Sequence, residues 1–261
     1  MFKTLAVALF SALFISSNYL LAAPYADIVI DADTYEVLSE QNSEMRVHPA
    51  GLTKLITLYE TFAAIRDGEI SLDDKMLVSA KAAAEPPVKL GLEVGYEIDV
   101  RYLLRAVAVA GANDASTVLG EGIAGSEHAF GRRLSKTSDD LGLTLSTWRN
   151  AHGLTESGHL STAKDIARLM LAHRRDFPQY FNLFSRMVTD AGVKKVANSS
   201  RRILGNVKGV NAARFGHTRA AGYSAAMYVT RNDKDIVVVV LGARSSRSLL
   251  IRLMELADAH T

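Results

Sequence analysis

The sequence predicts an α/β fold: a mainly antiparallel sheet assembled from strands at both ends of the chain, with a helical insert between them. Three observations carry this expectation. Strand-like runs lie near residues 26–38 and again at 210–241, and the stretch between them is dominated by helical periodicity. Neither a repeat of 20–50 residues nor a low-complexity linker divides the chain, so one domain over residues 24–261 is expected. At 261 residues and 48 % hydrophobic content, the chain can bury a sizeable core.

The N-terminus carries an address. Lys3 precedes an apolar run at residues 5–15, Ser16-Ser17-Asn18 interrupt it, and Leu21-Ala22-Ala23 offers small residues for cleavage. Residues 1–23 are therefore expected to be a signal peptide, removed on export from a bacterial cytoplasm to the periplasm. The eleven-residue run is too short to span a bilayer, so membrane contact is expected only if the uncharged stretch 4–23 is retained as an anchor. The chain has no Cys, which excludes disulfides, thiol nucleophiles, Cys–zinc sites and a lipoprotein-type anchor.

Each element follows from its residues. Residues 26–31 read as a strand, Asp33-Thr34 as a turn, and 35–38 as the returning arm of a hairpin. Pro49 suits a helix entry, and Leu52, Leu55, Ile56, Tyr59, Phe62 and Ala63 recur at helical spacing. A helix burying one stripe is expected over 51–66, stopped by Asp67-Gly68. Residues 69–100, with Pro86-Pro87, Gly91 and Gly95, read as an ordered polar excursion. A second apolar helix is expected over 100–110, and further helices over 114–185 around a loop at 148–161. Strands return at 210–218, 223–230 and 235–241, the last two forming a hairpin across Arg231-Asn232-Asp233-Lys234. The apolar run 236–240 reads as a strand buried on both faces, and 245–260 as a closing amphipathic helix.

The stretch 48–57 concentrates chemistry. Gly51 and Lys54 fall on nearly one face of the first helical turn while Thr53 points away, and a helix N-terminus with a lysine is a positive, donor-rich corner. Many acyl-transfer enzymes place a nucleophilic Ser one turn before such a Lys; here that position is Gly51. The net charge is +2, but from Arg201 onward ten Lys/Arg face four Asp/Glu. That imbalance reads either as a solvated face or as a surface for anionic polymers and carboxylates. No basic motif interleaved with aromatics is present, so no nucleic-acid partner is expected. His152 and the other histidines lack the spacing of a His-x-x-x-His pair, so neither a metal nor another cofactor is expected.

The order of these motifs resembles the D-alanyl-D-alanine carboxypeptidases, the low-molecular-mass penicillin-binding proteins. Their signature is Ser-x-x-Lys, then Ser-x-Asn, then Lys-Thr-Gly. Gly51-Leu52-Thr53-Lys54 falls at the first, Gly111-Ala112-Asn113 at the second and Arg214-Phe215-Gly216 at the third. The surroundings match more closely: Pro-Ala-x-Leu-Thr-Lys-Leu at 49–55, Asn113-Asp114-Ala115, Asn150-x-x-Gly-Leu, Leu160-Ser161-Thr162-Ala163 and His217-Thr218-x-x-Ala-Gly-Tyr. The resemblance runs from Tyr25 to the C-terminus and implies a β-lactamase/transpeptidase-like fold. In that family the first Ser attacks the D-Ala-D-Ala carbonyl and forms an acyl-enzyme. The first-motif Lys and the second motif move protons, and the third motif binds the substrate carboxylate.

All three motifs have lost a hydroxyl. Gly51 cannot attack, and removing a catalytic Ser costs about 10⁶-fold in turnover in a serine protease, near 8 kcal/mol. Recruiting Thr53 would require a register shift that disrupts Leu52 and Leu55 packing. Lys54 is left as a remnant or a cation for an anionic ligand, and Asn113 as a ligand for a substrate amide or a cap. Arg214 keeps the third motif's charge as a bidentate fork for carboxylate. Phe215 is either a ring in the groove or a strand residue packed in the sheet. His217 is either a titrating group or a packing residue. The expected function is an exported, catalytically impaired carboxypeptidase-like protein. It would bind peptidoglycan stem peptides or a cell-wall enzyme between Lys54, Asn113 and Arg214–His217. The alternatives are an active D-Ala-D-Ala carboxypeptidase using another nucleophile, and an accessory protein acting through its basic C-terminal quarter.

Overall fold

The computed structural model describes residues 23–261; the signal-peptide reading of 1–23 lies, except for Ala23, outside the described residues. The chain begins with β1 (Ala26–Asp31) and β2 (Val37–Gln41), then enters α1 (Thr53–Arg66) through a 3₁₀ turn (Ala50–Leu52). The excursion that follows holds β3 (Lys75–Leu77), α2 (Ala80–Ala84) and β4 (Glu97–Asp99). Next come α3 (Val100–Arg105), prolonged by a π-helical stretch (Ala106–Ala110), α4 (Asn113–Ala124) and α5 (Glu127–Asp140). After a loop, α6 (Ala163–Asp176), α7 (Pro178–Phe181), β5 (Val188–Asp190), β6 (Lys195–Ala197) and α8 (Arg201–Asn206) complete the insert. The chain ends with β7 (Val210–Thr218), β8 (Gly222–Arg231), β9 (Lys234–Ala243) and α9 (Ser246–His260).

The main sheet has the order β2-β1-β9-β8-β7, antiparallel throughout, so N- and C-terminal strands form one layer. In β9 the side chains alternate between two cores. Val237, Val239 and Leu241 join the helical insert, and Ile236, Val238 and Val240 join α9. Helices cover both faces, which is why this strand carries an unbroken apolar run. The β8–β9 connection is tighter than the four-residue turn expected: only Asn232 and Asp233 remain outside the strands, at φ +54° and +58°. Asn and Asp tolerate the left-handed region that such two-residue hairpin turns require.

Helix α1 departs from the single buried stripe its periodicity suggested. Eleven of its fourteen residues are buried, including Thr53, Lys54, Thr57, Glu60 and Thr61, because the insert wraps it on every side. Its polar groups are satisfied internally: Thr57 Oγ1 donates to Ala151 O at 2.7 Å and Thr61 Oγ1 to Thr57 O at 2.8 Å. The short hairpins β3–β4 and β5–β6 lie outside the main sheet. No helix among the described residues is long and apolar enough to cross a membrane. The N-terminal end of α1 meets β7, the edge strand, and the groove between sheet and insert opens there.

Candidate functional site

A cavity of about 420 Å³ lies along that groove, and Gly51, Lys54, Gly111, Asn113, Arg214, Phe215, Gly216 and His217 all line it. Three separate elements bring them together. Gly51 sits in the 3₁₀ turn, preceded by Ala50 at φ +48°, a conformation that costs a non-glycine residue about 1–2 kcal/mol. Lys54 is the second residue of α1. Gly111 ends the π-helical stretch at φ +77°, and Asn113 opens α4.

Lys54 is 2 % exposed, and its Nζ donates to Asn113 Oδ1 at 2.7 Å and to His152 O at 2.5 Å. Burial pushes its pKa well below the ordinary lysine value, and the Arg214 charge adds to this, with Glu85 and Asp114 pulling weakly the other way. Asn113 is not a cap; its amide bridges Lys54 and the loop at Pro86. Its Oδ1 takes the Lys54 bond, its Nδ2 donates to Pro86 O at 2.9 Å, and α4 has no side-chain cap at its start. The neighbouring Asp114 carboxylate instead accepts the amides of Leu90, Gly91 and Leu92, fixing the loop beside the groove.

Arg214 overturns the carboxylate-fork expectation. The side chain is 2 % exposed and turned inward: Nε donates to Gly51 O at 3.2 Å, and Nη1 to Val107 O at 2.9 Å and Ala108 O at 3.1 Å. Burial alone lowers its pKa to about 10. The π-helical stretch explains the acceptors. In an α-helix the amides of Gly111 and Ala112 would bond Val107 and Ala108, but here both bond Ala106 O, releasing two carbonyls. The space comes from Gly111, where a Cβ would overlap Arg214 Nη2. The inward guanidinium of Arg214 therefore depends on the missing side chain at Gly111.

The first-motif position, Gly51, is also tight, though less so. A Cβ on Gly51 would meet Phe215 O at 3.0 Å and Gly216 Cα at 3.1 Å, and one on Gly216 would meet Gly51 N at 2.5 Å. Strand β7 thus lies directly against the turn. Phe215 does not fill the cavity; its ring packs with the α9-side core and lies 6.3 Å from the Tyr223 ring. His217 is exposed at the rim and packs against Tyr223 with ring centroids 4.1 Å apart and planes tilted by 34°. Thr53 is fully buried on the far side, bonded to His159 Nε2 at 2.8 Å.

Several lining residues had no assigned place in the sequence reading. His152, Gly153 and Leu154 belong to the Asn150-x-x-Gly-Leu segment, where Asn150 Oδ1 accepts from Gly153 N at 2.8 Å. Ser199 and Arg201 precede β7 and line the same cavity. Arg201 is an exposed cation at the rim, and the one hydrogen bond of its side chain among the described residues reaches Asn198 O at 3.5 Å. Its only sequence signal was the basic character of the C-terminal quarter.

The family profile described as D-alanyl-D-alanine carboxypeptidase matches residues 17–245. The chain belongs to the D-alanyl-D-alanine carboxypeptidase family. It is 30 % identical over 234 residues to the carboxypeptidase DacF of Bacillus subtilis, covering 88 % of this chain and 60 % of that protein. It is equally 30 % identical over 225 residues to DacA of Escherichia coli, covering 84 % of this chain and 56 % of that protein. The chain thus spans somewhat more than half the length of these relatives. Among solved structures, penicillin-binding protein 5 of Haemophilus influenzae superposes with a TM-score of 0.85 at 25 % identity, over 90 % of this chain and 69 % of that one. Penicillin-binding protein D2 of Listeria monocytogenes, in its ampicillin-bound form, gives 0.81 at 26 % identity, over 89 % and 95 %. The fold is transpeptidase-like, as the motif order implied.

Proposed function

We propose that this carboxypeptidase-like protein is exported and holds peptidoglycan stem peptides in its groove without cleaving them. The observation that carries this reading is Gly51 at the nucleophile's place in the motif order: it supplies no hydroxyl, and a Cβ there would crowd β7. Lys54 keeps a buried amine, but its two bonds go to Asn113 and His152 and to no hydroxyl. The similarity to D-alanyl-D-alanine carboxypeptidases supports the substrate class. Arg201, the exposed rim cation, takes the carboxylate role that buried Arg214 has given up. A charge-assisted contact of this kind contributes about 1.5–3 kcal/mol, so Arg201→Ala is expected to weaken stem-peptide binding about tenfold or more.

Incubation of the mature protein with excess benzylpenicillin, followed by intact mass measurement, tests the loss of chemistry. The expected result is an unchanged mass. A covalent adduct would support the enzyme reading, and peptide mapping would locate the nucleophile; Ser199 and Thr218 are the hydroxyl residues lining the cavity. Export predicts a secreted form beginning near Pro24, which the same mass spectrum reads. A protein that binds no D-Ala-D-Ala peptide at millimolar concentration, yet co-purifies with a cell-wall enzyme, would replace the ligand role with a scaffolding one.

A further inference from the structure

Beside the groove, three buried side chains converge that no element of the carboxypeptidase reading uses: Glu85, Glu127 and His152. They come from distant segments. Glu85 caps the end of α2, Glu127 opens α5, and His152 lies in the loop after residue 150. This dispersal is why histidine spacing in the sequence gave no sign of them. His152 Nε2 lies 3.1 Å from Glu127 Oε1 and 3.4 Å from Glu85 Oε1, and one ligand atom from each residue lies within 4.8 Å of the others.

We infer that these three residues form a site for one divalent transition-metal cation of the zinc type. The geometry suits it: donor atoms held about 2.0–2.2 Å from a tetrahedral zinc are about 3.3 Å apart, close to both nitrogen–oxygen separations here. The charge suits it as well. Two buried carboxylates face one ring nitrogen, and their one lysine partner, Lys81, is half-exposed and bonds only Glu127 Oε2. Apart from His152 itself, which the two carboxylates favour in its protonated form, the other partners are neutral: Thr117 Oγ1 on Glu85 Oε1 at 3.0 Å, and the Ala151 amide on Glu127 Oε1 at 3.3 Å. Buried carboxylates lacking a full complement of cations favour one that enters. One imidazole and two carboxylates in a confined site select zinc, cobalt or nickel over calcium or magnesium, which take six or more oxygens. His152 is also one of the residues lining the groove, so the site lies directly behind the groove wall.

Occupancy has a consequence for the groove. In the metal-free arrangement His152 Nδ1 accepts the Leu154 amide at 3.1 Å, so the ring proton sits on Nε2, between the carboxylates. A metal on Nε2 moves that proton to Nδ1, where it faces the Leu154 N–H and displaces it. Leu154 is part of the groove wall, so metal binding repositions that wall.

The test is titration of chelator-treated protein with Zn²⁺ by calorimetry, with ¹⁵N spectra recorded in parallel. One equivalent is expected to bind, with the Leu154 amide signal shifting. Calcium and magnesium should give no heat. Because outer partners of a metal site already cost about 10–100-fold in affinity, Glu127→Gln, Glu85→Gln and His152→Gln should each weaken binding by at least that factor. If a variant does not fold, the visible bands of Co²⁺ bound to the wild-type protein, expected to be those of a tetrahedral site, decide in its place. No stoichiometric binding, octahedral Co²⁺ bands, or binding that survives His152→Gln would overturn the proposal. Zinc binding without a shift at Leu154 would overturn the coupling to the groove.

Discussion

Arg214 is a buried cation whose bonds go only to backbone carbonyls, those of Gly51, Val107 and Ala108. Truncating it strands acceptors that cost about 1–3 kcal/mol apiece when buried without a donor, so Arg214→Ala is expected to destabilise the fold by about 3 kcal/mol or more. Urea denaturation reads this directly. Gly111→Ser meets two obstacles, its φ of +77° and the guanidinium in the space its Cβ needs. Only the second disappears in an Arg214→Ala background. The double-mutant cycle is therefore expected to give a coupling of about 1 kcal/mol or more, and strictly additive losses would refute the shared-space account. The same reasoning bears on placing a hydroxyl at the first motif. Gly51→Ser alone pushes its Cβ to 3.0 Å from Phe215 O and leaves the 111 hydroxyl missing, so it is expected to form no penicillin adduct by mass.

At the scale of elements, α1 and α6 are locked together by His173. Its Nε2 donates to Leu55 O at 2.8 Å, its Nδ1 is buried without a partner, and Tyr59, Phe62 and Phe184 pack edge-on around the ring. Burial lowers its pKa from 6.5 to about 4, against smaller opposing effects from the Leu55 carbonyl and Asp176. The sign follows from proton counting. Above pH 6.5 neither state is charged, and as pH falls toward 4 the unfolded chain takes a proton that the folded one refuses. Stability is therefore lost on acidification, by about 1.4 kcal/mol per pH unit for this residue. Urea midpoints at pH 7 and pH 5, compared between wild type and His173→Leu, isolate it from the other histidines; equal pH slopes would count against it. The strands and helices themselves were largely legible, because β9's apolar run and α9's capping-box serine, Ser245, are local signals. The π-helical turn was not, since it is a shift in backbone bonding that Ala106–Ala110 does not announce. Nor were the three-residue strands β5 and β6, too short for a period to register. The motif positions were legible as a set, but the direction of Arg214 depended on room left by Gly111, a contact between residues a hundred positions apart.

For the whole molecule, the proposed binding in the groove and a contact through the basic C-terminal quarter would respond differently to salt. Exposed charges more than about 8–10 Å from a partner are screened at physiological ionic strength, so binding through a diffuse basic face weakens steeply as salt rises. A stem peptide seated in a cavity of about 420 Å³ makes short contacts and loses less. Sacculus pull-down across a salt series, with wild type and Arg201→Ala side by side, separates the two. Groove binding predicts retention at high salt and a marked loss in the variant. It also predicts that a D-Ala-D-Ala stem peptide at 100 times its Kd stabilises the protein by about 2.7 kcal/mol. For a domain of this size that is a rise in Tm of about 5–10 °C, with no D-Ala released. A sacculus interaction that vanishes with salt and ignores Arg201→Ala would assign the wall contact to the basic face. Release of D-Ala would return the protein to the active enzymes of its family.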